Sequence, residues 1–183
     1  FDGKKGIKII PCYYKKDYPE WSDRGDGPGA PVAIHLPNSP IIATGKRDGS
    51  KIRLPNGNYL EETASYYVMI ETKTGGYTPA LITMKSTQLN VSKKWNSMMK
   101  TIQISDGKGG FIIPPMHGVV YNLSSTLQKN DKGSWYGWVV TQDRILGQED
   151  KSLYLSAKDF SGNVSKGNVQ TKADVEEVAK DST

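Results

Sequence analysis

The stretch 65–84, SYYVMIETKTGGYTPALITM, decides the predicted fold. Residues 65–72 and 77–84 are two runs rich in β-branched and aromatic residues, the composition that is typical of strands. The four residues between them, KTGG, contain glycines that accept the positive φ of a tight turn. The stretch therefore predicts an antiparallel hairpin.

The next segment, STQLNVSKKWNSMMKTI (86–102), has a helical pattern. Val91, Trp95, Met98 and Ile102 recur at helical spacing, and Ser86 or Thr87 would be a good N-cap. We therefore predict one principal helix over 87–101. Its apolar stripe would be buried, with Trp95 in the core.

Further strands are predicted on both sides of this unit. A second hairpin spans 117–141, where residues 119–127 and 134–141 flank the turn KNDKG, and its second strand contains the aromatic run SWYGWVV. Upstream, 6–14 reads as a strand interrupted at Pro11, and 51–60 as a hairpin across Asn56-Gly57. Short extended pieces are expected at 32–36 and 41–44. Residues 151–160 are compatible with a helix or a strand.

The order of these elements predicts a mostly β fold, an OB-fold-like barrel with one principal helix between two hairpins. Small SH3-like barrels and irregular sandwiches share parts of this order and remain alternatives. We predict one β-rich domain over 1–171, with an N-terminal extension and a Gly/Pro-rich loop at 22–31. Residues 172–183 would form an acidic C-terminal tail.

The composition of the chain indicates the cellular environment in which it works. The chain has 183 residues, a net charge of +5 and a single cysteine, Cys12, expected to be a buried, inert thiol. No apolar run is long enough to span a bilayer, so no membrane is expected as a partner. These features favour a reducing cellular interior.

The sequence gives little evidence for metal binding or for catalysis. His35, His117 and Cys12 lie far apart in the sequence, so we expect no metal site and no cofactor. Sequence motifs of catalytic nucleophiles and of phosphate-binding loops are also missing. We therefore expect that the protein is not an enzyme. One alternative is a Mg²⁺-dependent nuclease, because Glu71-Thr72-Lys73 follows an apolar strand and Asp48 could act as the upstream carboxylate.

The distribution of aromatic and basic residues indicates single-stranded nucleic acid as the ligand. A single-strand groove needs rings on which bases stack and cations along the phosphates, and the seventeen aromatic residues have lysines close to them. The residues predicted to bind are Lys85, Lys93, Lys94, Lys100, Tyr67, Trp135, Tyr136 and Trp138.

Three segments carry a resemblance to known proteins: WSDRGDGPGAP (21–31), RLPNGNYLEET (53–63) and MKSTQLNVSKKWNSM (84–98). With them, residues 6–141 resemble a group of tailed-phage proteins from replication gene neighbourhoods. The element order and acidic end also resemble the replicative single-stranded DNA-binding proteins of phages, which are OB-folds. The chain departs from that class at its end, Asp181-Ser182-Thr183, which lacks the typical aromatic terminal residue.

These observations lead to one leading hypothesis, a phage single-stranded DNA-binding protein without sequence specificity that supports replication or recombination. Its expected partners are single-stranded DNA, replication proteins recruited by the acidic tail, and a second copy of the chain. The alternatives are a phage structural or host-interaction protein and the nuclease that would use Glu71 and Lys73.

Overall fold

The computed structural model of the protein describes residues 2–23, 30–131 and 133–169. The strands are β1 (Ile7–Trp21), β2 (Ala33–His35), β3 (Lys46–Asp48), β4 (Lys51–Arg53), β5 (Tyr59–Glu61), β6 (Thr63–Glu71), β7 (Tyr77–Lys85), β8 (Ile104–Ser105), β9 (Phe111–Ile112), β10 (Val119–Asn130) and β11 (Gly133–Ile145). The helices are α1 (Ile41–Thr44), α2 (Leu89–Thr101) and α3 (Lys151–Ser165). The acidic segment 172–183 and most of the Gly/Pro-rich loop lie outside the described residues.

Five antiparallel strands form a curled half-barrel in the order β7–β6–β1–β10–β11. Both long predicted hairpins are confirmed, as β6–β7 and β10–β11. The long strand β1 lies at the centre and pairs with both hairpins. The prediction of a mostly β protein is therefore confirmed.

A smaller sheet grows from the C-terminal part of β1, where β2 pairs on one side and β5, β4 and β3 follow on the other. The predicted hairpin across Asn56-Gly57 is the β4–β5 pair. The register of β1 shifts between Pro11 and Tyr13, because proline has no N–H to donate to the ladder. Pro11 thus lies in a bulge of a central strand.

The concave face of the half-barrel is filled by the helix α2. Trp95 is buried and stacks on Tyr66 with ring centroids 4.3 Å apart, and its edge meets Tyr121 at 5.6 Å. The Tyr66 hydroxyl lies 2.7 Å from Ser92 Oγ and 3.1 Å from the Ser92 carbonyl oxygen. These contacts fix α2 against the sheet and confirm that Trp95 is a core residue.

The buried stripe of α2 differs from the predicted one. Ser92, Trp95, Met99 and Ile102 are buried, whereas Val91 and Met98 are only half-buried. The helix is thus rotated by about 50° from the predicted orientation. Ser92 faces inward because its hydroxyl and carbonyl groups satisfy the buried hydroxyl of Tyr66.

The opposite, convex face is covered by α3, and the prediction of one principal helix is therefore wrong. In α3, the buried Ala157 packs against Ile10 and Cys12 of β1, with Leu153 and Phe160 on either side. The apolar spacing of 4 and 3 residues is helical. Alternate residues of β1 thus face two helices, because successive side chains of a strand point to opposite faces.

Two local predictions also need correction. Residues 41–44, expected to be extended, form the single helical turn α1, which begins after Pro40 and is closed by a hydrogen bond from Thr44 Oγ1 to the Ile41 carbonyl oxygen at 2.7 Å. The helix α2 begins at Leu89, after a 3₁₀ turn over Ser86–Gln88. Ser86 adopts φ 51° where the chain reverses between β7 and this turn.

Candidate nucleic-acid interface

A row of aromatic side chains leaves the core along β11 and reaches solvent. Val140, Trp138 and Tyr136 share one face of this strand. Val140 packs against the concave core, the side chain of Trp138 is 39% exposed and that of Tyr136 is 66% exposed. Two of the predicted ligand residues therefore lie side by side with rings open to solvent.

The neighbouring strand β10 extends this surface. Leu123 lies opposite Val140, Ser125 opposite Trp138, and Leu127 opposite Tyr136. Leu123 is buried and Leu127 is exposed, so both strands run from the core into solvent. We call the outer part of this face, formed by the half-buried Ser125 and the exposed Leu127, Tyr136 and Trp138, the hairpin platform.

Three lysines that sequence reasoning missed are held near the platform. The N-terminal segment is attached to β10, because the N–H of Ser125 donates to the Gly3 carbonyl oxygen at 2.8 Å and Asn122 Nδ2 donates to the Lys5 carbonyl oxygen at 3.4 Å. This attachment holds the segment that contains the exposed Lys4 and Lys5 along β10, with Gly3 bonded to Ser125 of the platform. The third lysine, Lys129, lies on β10 itself. In the sequence, Lys4 and Lys5 are recognisable as a basic pair, whereas nothing local marks Lys129 as a binding residue.

The helix α2 also begins at the platform. Gln88 Oε1 accepts a hydrogen bond from the backbone N–H of Trp138 at 3.1 Å. At about 100° per residue, Lys93 and Lys100 lie roughly 20° apart and form one stripe on the solvent side, whereas Lys94 lies about 100° away from Lys93. All three are exposed, as predicted, but they do not form a single stripe.

The part of the chain that contains β7, α2 and β10 has almost no acidic residues. Between residues 72 and 130 the sequence has seven lysines and a single acidic residue, Asp106. The Asp106 carboxylate accepts hydrogen bonds from the backbone N–H groups of Lys108 and Gly110, and these bonds lower its pKa. The positive charge of β7, α2 and β10 is therefore nearly unopposed in sequence.

The other predicted residues are not brought to this surface. Tyr67 lies on the convex face, where its ring meets Tyr13 with centroids 6.1 Å apart. Lys85 Nζ is 3.1 Å from Glu61 Oε2 and thus already paired. Trp135 is only half-buried, but it lies on the face of β11 opposite to Trp138.

A cleft opens between the two edges of the half-barrel, where β7 approaches β10 and β11 without pairing to them among the described strands. Its volume is about 460 Å³. It is lined by Asp2, Gly3, Gly6, Ile7, Ile70, Ala80, Leu81, Ile82, Thr83, Leu123, Ser124, Ser125 and Trp138. Ser125 and Trp138 therefore belong to both the edge cleft and the hairpin platform and form the boundary between them.

The model of the Pam3 phage gp34-like protein family matches residues 1–170. The chain belongs to this family. It is therefore a phage protein, which confirms the predicted phage origin. No curated protein and no solved structure matches the chain significantly.

The residues of the nuclease alternative are kept apart in this family member. Glu71 ends β6 and Lys73 lies in the following turn, whereas Asp48 lies in the small sheet near the beginning of β6. The nine residues of β6 span about 27 Å, at roughly 3.3 Å per residue. Asp48 is thus not placed to share a metal ion with Glu71.

Other candidate groups have structural roles. His35 Nε2 lies 2.7 Å from the buried carboxylate of Glu20, and the His117 ring packs on Tyr154. Burial raises the pKa of the Cys12 thiol to about 12, so it stays protonated. In the part of the chain that the structure describes, no group of three His, Cys, Asp or Glu side chains could hold a metal ion. None of the described helices has the length and apolar character needed to cross a bilayer.

Proposed function

We propose that this phage protein binds single-stranded DNA without sequence specificity. The observation that carries the proposal is the exposed pair Tyr136 and Trp138 on one face of β11. This strand pairs with β10, the end of the segment 72–130, which has seven lysines and one acidic residue. Stacking on such rings is tolerant of sequence because every base has a π-face, and it contributes about 1–3 kcal/mol per base.

The surrounding lysines would contact the phosphates. Lys4 and Lys5 lie in the N-terminal segment that is bonded to β10. Lys129 lies on β10 itself, and Lys93 and Lys100 form a stripe along α2. Lysine is suited to this task because its ammonium group binds phosphate as a point charge without reading the base. A DNA strand would thus cross the hairpin platform and continue over α2.

The topology supports an OB-fold reading of the half-barrel. The strand order β7–β6–β1–β10–β11, with α2 between the third and fourth strands of the barrel, is the order that such folds use. In OB-folds, the loop between the last two strands contributes to the ligand site. Here that loop joins β10 to β11 at the end of the hairpin platform.

The protein would bind DNA without cutting it. Glu71 and Asp48 are too far apart to share a Mg²⁺ ion, and Lys73 lies in a turn that Thr72 closes by hydrogen bonds with Gly76. We expect Glu71→Ala to leave DNA uncut and bound as tightly as by the native protein. Mg²⁺-dependent cleavage that this substitution abolishes would establish the nuclease instead.

The biological setting that fits this activity is phage DNA replication or recombination in the host cytoplasm. In that setting the acidic segment 172–183 would recruit replication proteins, since its charge is opposite to that of the DNA-binding surface. If the protein does not bind DNA, a structural or host-interaction role of the same exposed surface becomes the better account.

A titration of a labelled single strand with two matched variants tests the proposal. Tyr136→Ala removes an exposed ring of the platform, and Tyr67→Ala removes a ring on the opposite face of the sheet. We expect Tyr136→Ala to weaken binding by about 5- to 150-fold, the equivalent of one stacked base, and Tyr67→Ala to leave it unchanged. Equal effects of the two substitutions would refute the platform as the binding site.

A further inference from the structure

A second exposed apolar feature lies at the other end of α2. The strands β8 and β9 pair with each other in a sheet separate from the main one. Phe111 is 71% exposed, and the next two residues, Ile112 and Ile113, are exposed as well. Single exposed apolar residues are common, but a run of three is expected only where it has a function. We call this hairpin, residues 104–113, the apolar arm.

The arm has a well-built turn. The N–H of Asp106 donates to the Gly110 carbonyl oxygen at 3.0 Å, and Asp106 Oδ1 accepts hydrogen bonds from the backbone N–H groups of Lys108 and Gly110 at 2.8 and 2.9 Å. Gly107 and Gly109 adopt φ of 73° and 90°, which side chains disfavour. Because the turn is already ordered, the arm would lose little entropy on binding.

The edge cleft offers a surface that matches the arm. Its floor is made by the aliphatic side chains of Ile7, Ile70, Ile82 and Leu123, and its volume is about 460 Å³. Pockets of about 300–1,000 Å³ hold small ligands, so this one has room for a phenylalanine ring and a neighbouring isoleucine. Asp2 at the cleft and Lys108 at the tip of the arm carry opposite charges.

The arm and the cleft are at opposite ends of the same helix. Gln88, at the beginning of α2, contacts Trp138 of the cleft, whereas the arm starts at Ile104, just after the end of α2. Thirteen helical residues span about 20 Å. The arm is therefore held away from its own cleft, and a second copy of the chain is the natural source of an arm that fills it.

We infer that copies of this protein associate head to tail, with the apolar arm of one copy seated in the edge cleft of the next. A heterologous contact of this kind does not close on itself unless the rotation forms a ring, so it produces an open row of subunits. Three apolar side chains bury much less than the roughly 1,200 Å² of a stable interface. The contact is consequently weak in free solution.

On a shared DNA strand the same contact becomes effective. Neighbouring copies are then held at a high effective concentration, which converts a weak contact into cooperative coating. This last step rests on the proposed function. The contact between the copies does not, because it involves only the arm and the cleft, and can be measured without DNA.

Sedimentation velocity of the protein without DNA, over a concentration series up to the millimolar range, tests the contact. Phe111→Ser alters the arm, and Leu81→Arg places a charge at the cleft. Each is expected to weaken self-association at least about tenfold. The controls Leu36→Ser and Ile34→Arg change exposed apolar residues elsewhere. Ile34 is a close match for Leu81, since both are 43% exposed, and we expect both controls to associate as the native protein does.

A mixture of the two variants distinguishes a head-to-tail contact from other modes. Leu81→Arg keeps an intact arm and Phe111→Ser keeps an intact cleft, so the mixture should form a heterodimer and no larger species. A native protein that stays monomeric over the whole range would overturn the inference, as would a Leu81→Arg variant that associates normally or a mixture that forms no dimer. If the native protein does not bind DNA, the proposed function is refuted, but the head-to-tail contact measured without DNA is unaffected.

Discussion

The helices α2 and α3 perform the same structural task on opposite faces of one sheet, but they differ in charge. Each packs an apolar stripe against β1 and its neighbours. The segment 148–166, which contains α3, has three acidic residues and three lysines, whereas 86–102, which contains α2, has three lysines and no acidic residue. Packing alone does not require this difference. The more positive helix, α2, lies on the side of the sheet where we propose that DNA binds.

The largest expected difference between the two helices is the contribution of their core residues to the free energy of unfolding. Trp95 fills the concave face between Tyr66 and Tyr121, so Trp95→Ala should lower the free energy of unfolding by about 3–5 kcal/mol. Leu153 of α3 is only half-buried, and Leu153→Ala should cost clearly less. Urea denaturation of both variants measures the difference. Equal losses would show that the two faces contribute alike to stability.

Charge reversal gives the next largest effect. Lys93→Glu with Lys100→Glu should weaken single-strand binding more than about tenfold and reduce the salt slope by about 1.4, at about 0.7 per phosphate contact. The matched double variant, Lys151→Glu with Lys158→Glu, has the same spacing on α3 and should bind normally. Because all four lysines are exposed, stability should change by less than about 1 kcal/mol. Similar losses of binding in both variants would mean that net charge, not the α2 surface, determines affinity.

Ser92→Ala tests the polar contact that orients α2. It removes the hydroxyl beside the buried Tyr66 hydroxyl and should lower the free energy of unfolding by about 1 kcal/mol. The Ser92 carbonyl oxygen remains as an acceptor at 3.1 Å, which limits the loss. Exposed Ser97→Ala on the same helix is the control and should have no measurable effect in the same denaturation experiment.

The smallest expected effect is a pH dependence confined to the α3 side. Burial, with a further contribution from Lys158, lowers the pKa of His117, which packs on Tyr154 of α3. The unfolded chain therefore binds the proton more readily, and stability should fall as the pH drops below the ordinary histidine value of about 6.5. Thermal unfolding between pH 7 and the acid range should show a smaller decrease for His117→Gln. An unchanged decrease in that variant would assign the effect to other groups.

Local patterns predicted most of the secondary structure. The glycines at 75–76 and Gly57 identify hairpin turns, and the spacing of Trp95 and Ile102 identifies α2, because each depends on residues close in sequence. The sequence does not decide between a helix and a strand for α3, since a short apolar pattern alone does not separate the two. Its role appears only when Ala157 meets the convex face of β1.

The site was harder to predict because it depends on contacts between distant residues. Tyr66 and Tyr67 look equivalent in sequence, and only the packing of Trp95 decides that Tyr66 faces the core and Tyr67 the other side of the sheet. The backbone of Lys5 is bound to β10 through a hydrogen bond with Asn122, 117 positions away. The exposure of Tyr136 and Trp138 follows from the length of β10 and β11, which extend beyond the core.

Binding of one labelled single strand and of its duplex at several salt concentrations tests the central claim most directly. We predict saturable binding that is tighter for the single strand, because unstacked bases are needed to contact Tyr136 and Trp138. If Lys4, Lys5, Lys93, Lys100 and Lys129 all contact phosphates, log affinity should fall with log salt with a slope of about −3.5. No saturable binding, or an affinity for the single strand that does not change with salt, would contradict the account.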